Sequence, residues 1–178
     1  MEHWTRRRVL EAAIGGPAIA VAGCVGPAGG TIEDWPLWRR DPARTGHDPS
    51  ASGPLSGRHA WTRRIGGAAG PPIAVGATVV VGGDSIAAVD RGGRVRWRHP
   101  LGFAGRAPPA MAAGRVYGVG RSSLVALDTR SGGRRWFETN DGWWYHGPTI
   151  ANGRLYVAQS KIKFSTSFEG RIAAYDLQ

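Results

Sequence analysis

At 178 residues the chain has room for one domain, and its 42% apolar content is enough to build a core, which argues against disorder throughout. Twenty-eight glycines and twelve prolines shorten any helix and favour brief strands joined by turns, while the single cysteine, Cys24, excludes an intrachain disulfide and a paired-cysteine metal site. The formal net charge is +10, yet the arginines are spread over turns and alternating strand positions, as in Arg94-Val95-Arg96-Trp97-Arg98, so they read as a solvated face and no nucleic-acid partner is expected.

Residues 1–23 read as an export signal. Thr5-Arg6-Arg7-Arg8-Val9-Leu10 places paired arginines before apolar residues, and Ala12 to Gly23 carries no charge. That uncharged stretch is much shorter than the roughly 20 residues that span a bilayer, and Pro17 weakens it further as a helix. Arg6 and Arg7 resemble the twin-arginine signal, whose translocase moves folded proteins. Val21-Ala22-Gly23-Cys24 resembles a lipobox, which makes Cys24 the expected lipidation site and membrane lipid the first expected partner. Residues 24–34 then form a glycine-rich tether, and the domain begins near Trp35 on the extracytoplasmic face of the cell membrane.

From there a repeat of about thirty-eight residues sets the fold. Trp61, Trp97 and Trp136 stand 36 and 39 apart, Pro72, Pro109 and Pro148 stand 37 and 39 apart, and Gly76, Gly114 and Gly153 stand 38 and 39 apart. Each unit runs proline, short apolar strand, glycine turn, second strand, third strand ending on aspartate, then a glycine turn into a strand ending on tryptophan. Four short antiparallel strands per unit predict an all-β propeller, with blades over residues 66–99, 104–138 and 146–178. The β-branched runs exclude a helical solenoid of similar period.

Ala126-Leu127-Asp128-Thr129-Arg130-Ser131-Gly132-Gly133-Arg134-Arg135-Trp136 resembles the tryptophan-docking motif of pyrroloquinoline-quinone (PQQ) propellers. A copy one residue shorter lies at Ala88, Asp90, Gly93 and Trp97, and a third begins at Ala174 and Asp176. Trp35-Pro36-Leu37-Trp38 and the residues to Gly46 look like the segment that precedes the first blade in exported members. The resemblance implies that each motif tryptophan packs between blades and each aspartate fixes a turn.

The units number two complete blades, a third lacking its fourth strand, and a lone tryptophan-ended strand at Ala60-Trp61-Thr62. Unpaired blade faces are expected to bind a protein partner or a second copy. The resemblance also raises a quinoprotein dehydrogenase fragment with PQQ and calcium, or a truncated gene product without function. No matching site is expected, because Glu138, Asn140, Asp141, Trp143 and Trp144 are the only cluster of suitable types, and they read as a connector capping the propeller face. The five histidines lack ligand spacing and no catalytic residue is assigned. Nine extra residues before Asp176, around Lys161 to Phe168, make either a recognition loop or a longer hairpin. The chain therefore reads as a non-catalytic scaffold or binding module.

Overall fold

The computed structural model describes residues 34–47, 58–67, 69–102, 107–164 and 167–177. Arg6, Arg7, Cys24, the expected signal and all of the tether except Asp34 lie outside the described residues. Within them there is no helix, and the strands form three antiparallel sheets.

The first sheet orders β1 (Ala69–Val75), β2 (Thr78–Gly83), β3 (Ser85–Asp90) and β4 (Val95–Pro100) consecutively. The second repeats this with β5 (Ala110–Ala112), β6 (Arg115–Val119), β7 (Ser123–Asp128) and β8 (Arg134–Thr139). The third contains β9 (Trp144–Tyr145), β10 (Thr149–Ala151), β11 (Arg154–Phe164) and β12 (Ser167–Asp176). Here β9 and β10 share one edge of β11, because Gly147 and Pro148 interrupt what is a single first strand in the other sheets. The third blade is thus three strands wide, and the outer position filled by β4 and β8 elsewhere has no strand among the described residues.

The extra residues of the third unit settle as a longer hairpin, in which β11 and β12 stay paired from Arg154↔Asp176 to Phe164↔Ser167. The segment around Trp61, expected as a strand, has no strand assignment. Its tryptophan is held by the turn after β3.

Period-two alternation explains the two cores. Val116, Val125 and Leu127 of the second blade face Ile73, Val80, Ile86 and Trp97 of the first, whereas Tyr117, Leu124 and Ala126, one residue out of phase, meet Tyr145, Leu155 and Val157 of the third. The central blade is therefore apolar on both faces. Trp35 adds an antiparallel bridge to Ala74 on β1, and the Pro36 carbonyl accepts the Met111 amide at 2.9 Å, so the leading segment stitches the inner strands of two blades together.

Candidate binding cleft and the inter-blade docking sites

In the first two blades Asp90 and Asp128 organise the turn that leads to the outer strand. Asp90 Oδ1 accepts the amides of Gly92 and Arg94, both at 2.9 Å. Asp128 Oδ1 accepts the Arg130 and Ser131 amides and the Ser131 hydroxyl, each at 3.0 Å, and its Oδ2 accepts Arg135 at 2.9 Å. The Arg135 guanidinium, followed by the Ser131 donors, holds the Asp128 carboxyl well below its ordinary value. Directly after each turn the strand bulges, and the motif alanine lies opposite the motif tryptophan, as Ala88↔Trp97 and Ala126↔Trp136.

Each turn also receives the tryptophan of the unit before it. Trp61 Nε1 donates to the Arg91 carbonyl at 2.7 Å, and Trp97 Nε1 donates to the Thr129 carbonyl at 2.9 Å. The indoles lie so close to Gly93 and Gly132 that a Cβ at either glycine would sit 2.6 Å from the ring. Both glycines also have positive φ, 78° and 70°, so the position demands glycine twice over. Trp97 is 8% exposed, but Trp136 is 36% exposed and meets the edge of Tyr175, with centroids 5.2 Å apart. The expectation that Trp136 lies buried between blades is therefore not met. After Ala174 and Asp176 no described turn presents a glycine, and Asp176 pairs with Arg154 at 2.8 Å instead.

A cleft of about 650 Å³ opens on the inner side, between the leading segment and the second and third blades. Its aromatic walls are Trp38 and Trp144. The Arg44 guanidinium lies 5.2 Å from the Trp38 ring centre and that of Arg121 lies 4.8 Å from Trp144, distances at which cation and π face attract. Arg44 also donates to Thr149 Oγ1 at 2.9 Å, which ties the leading segment to the third blade. Among the described residues the cleft's one carboxylate, Asp41, is lowered in pKa by the Thr45 hydroxyl and amide that donate to it. His146 Nε2 and Ser160 Oγ are 2.8 Å apart, but among the described residues no group bonds the other ring nitrogen, so the orienting partner of a hydrolytic triad is missing.

A family model described as outer membrane protein assembly factor BamB matches residues 46–137 and, in a second placement, 82–177. The chain belongs to this PQQ-like repeat family. Solved structures with the same propeller architecture include a europium-containing methanol dehydrogenase (20% identity, TM-score 0.64, 81% of this chain and 30% of that one). The quinohemoprotein alcohol dehydrogenase from Comamonas testosteroni aligns similarly (20%, 0.65, 82% and 26%). The chain thus spans less than a third of either enzyme, and at this identity the likeness concerns the fold. No curated protein matches the sequence.

In this PQQ-like chain the cluster Glu138 to Trp144 does not converge on one point. Glu138 Oε1 accepts the hydroxyls of Tyr145 at 3.1 Å and Tyr175 at 2.9 Å, bridging the second and third blades. Burial first, then the Glu138 carboxylate, raises the pKa of both tyrosines. Trp143 lies 3.9 Å beneath the Arg171 guanidinium, while Trp144 turns to the cleft. Calcium takes six to eight oxygen ligands. The cleft offers one carboxylate already engaged by Thr45, and among the described residues no three His, Cys, Asp or Glu side chains gather, so these residues do not fit a calcium-quinone pair. Sequence reasoning missed Arg44 and Arg121 as cleft residues. Trp38 and Trp144 lay in segments already singled out, and an arginine near each was the available signal.

Proposed function

We propose that the chain is a non-catalytic, lipid-anchored propeller module that binds protein on the extracytoplasmic face of the membrane. The observation that carries this reading is the cleft, where two tryptophans and two guanidiniums form a concave wall whose only carboxylate among the described residues is internally satisfied. Such a surface suits an acidic or aromatic segment of another protein, because arginine and tryptophan together supply charge, planar area and little entropy loss. Membership of a family described as an assembly factor supports a protein partner.

Export and anchoring rest on Arg6, Arg7 and Cys24. Cys24→Ala should move the protein from the membrane to the soluble fraction and abolish incorporation of labelled lipid. Unchanged fractionation with equal labelling would remove the anchor from this reading. The dehydrogenase alternative is tested by titrating the full chain with PQQ and calcium and following quinone absorbance. Stoichiometric, calcium-dependent binding would overturn the non-catalytic reading, and an unchanged spectrum is the expected result.

A further inference from the structure

The leading segment meets the fold at the end of the blades where a set of unpartnered arginines lies. Asp34 Oδ1 accepts the Gly76 amide at 2.7 Å and Trp35 bridges Ala74, so the segment passes the turn between β1 and β2. In an up-and-down antiparallel sheet the first and third turns share one end. The turn after β3, which carries Arg91 and Arg94, therefore lies at that end, and the turn after β7, which carries Arg130, holds the same place in the second blade. The two turns adjoin, because Trp97, three residues after Arg94, gives its Nε1 proton to the Thr129 carbonyl next to Arg130.

Arg91, Arg94 and Arg130 are exposed, and their side chains have no partner among the described residues. The carboxylates at this end are already committed, Asp34 and Asp90 to turn amides, Asp128 to Arg135 and Asp176 to Arg154. Arg115 and Arg134, which open β6 and β8, add to the same end, so it is net basic. The turns themselves read Arg91-Gly92-Gly93-Arg94 and Thr129-Arg130-Ser131-Gly132-Gly133, without an apolar side chain to form the buried centre of a protein interface. Such a surface attracts a layer of anionic groups, and a guanidinium meets phosphate oxygens with paired N–H donors.

We infer that this end of the propeller rests on an anionic lipid surface, with Arg91, Arg94 and Arg130 among the headgroup phosphates. The inference rests on the anchor proposed at Cys24 and adds the face that the anchored domain turns to the bilayer. Asp34 stands ten positions after Cys24, and ten residues cannot span more than about 35 Å. A tethered face meets the surface again and again, so an attraction too weak to capture a free protein suffices to orient an anchored one. The attraction acts over about 8 Å at physiological ionic strength, a range suited to projecting turns. The cleft includes Arg121, in the turn between β6 and β7 at the opposite end, so a bilayer against the arginine turns leaves it open to a partner.

The test uses the full chain carrying Cys24→Ala, so that lipidation contributes nothing and the result is independent of the lipid-labelling test of the anchor. Co-sedimentation with vesicles of equal parts phosphatidylglycerol and phosphatidylcholine should show Arg91→Gln, Arg94→Gln and Arg130→Gln together lowering the partition coefficient on the order of a hundredfold, at about fivefold for each arginine taken from the surface. Arg98→Gln, Lys161→Gln and Lys163→Gln together remove the same charge nearer the other end of the blades and should cost at most about threefold, because screening hides them from the bilayer. Arg91→Lys, Arg94→Lys and Arg130→Lys together should keep the parent's binding to within a few-fold, which separates lost charge from lost folding. Equal losses from the two glutamine triples, undiminished binding with the first, or a lysine triple no better than its glutamine counterpart would each overturn the inference. So would a first triple that weakens binding to duplex DNA but not to vesicles, which would assign these arginines to a nucleic acid. Failure on vesicles while labelled lipid still enters the parent chain at Cys24 removes this face and leaves the anchor standing.

Discussion

Replacing Trp97 by alanine tests the docking geometry most directly. The side chain is 8% exposed, lies against Gly132 and gives its Nε1 proton to the Thr129 carbonyl. Emptying such a site costs about 3–5 kcal/mol in lost transfer energy and cavity, and the orphaned carbonyl adds about 1 kcal/mol. Domains of this size are stable by about 5–15 kcal/mol, so the change consumes a large part of the margin. Trp136 provides the internal control. It occupies the same motif position but is 36% exposed and has one edge-on aromatic partner, which makes its removal worth about 1–2 kcal/mol. Urea denaturation of the full chain, followed by far-ultraviolet circular dichroism, should show Trp97→Ala shifting the midpoint at least twice as far as Trp136→Ala. If Trp97→Ala does not accumulate folded, Trp97→Phe retains most of the ring and should fall between the two. Equal shifts from both tryptophans would refute the claim that docking into the next blade's turn, and not the motif itself, makes the residue structural.

Gly132→Ala should destabilise at least about twice as much as Gly114→Ala: both have positive φ, near 70°, which costs alanine about 1–2 kcal/mol, but only Gly132 has an indole where the methyl must go. Asp128 has a depressed pKa, so its contribution is fully present above its ordinary value of 3.8 and is lost as pH falls through the folded value; Asp128→Asn should flatten the acid limb of a melting-temperature profile, and a limb unchanged in slope would count against its turn-fixing role. Tyr145 and Tyr175 have raised values, so the stability they contribute is present below pH 10.0 and lost as pH rises through their folded values. Glu138→Gln should bring the ultraviolet titration of both part of the way back toward normal, leaving the larger burial effect in place; a titration curve identical to that of the parent would disconnect Glu138 from them.

The blades were legible in the sequence because their determinants are local. A glycine turn, an alternating strand and an aspartate that gathers its own turn amides lie within a few residues of each other, so spacing alone locates them. The cleft was not legible, since Trp38, Arg121 and Trp144 come from three separate units and meet only through the order of the sheets. Trp61 and Trp136 were misplaced for a related reason. Each ends a repeat unit as Trp97 does, but burial depends on which turn a neighbouring unit offers. The split first strand of the third blade was hidden too, because Trp144-Tyr145 pairs with the hairpin extension and nothing near it in sequence announces that partner.

Docking forward from one unit into the next has a consequence for what such a chain exposes. Trp61 satisfies the turn at Gly93 and Trp97 satisfies the turn at Gly132, so the described motif turns are filled while Trp136 stays partly open. The same blade that offers Trp136 no turn also offers β12 no fourth strand, and the two features lie side by side, linked by Tyr175, which touches Trp136 and sits on β12. A strand laid along the first part of β12 would cover apolar residues there and leave the neighbourhood of Trp136 and Tyr175 accessible. The β12 edge and the Trp136 face are thus separable surfaces.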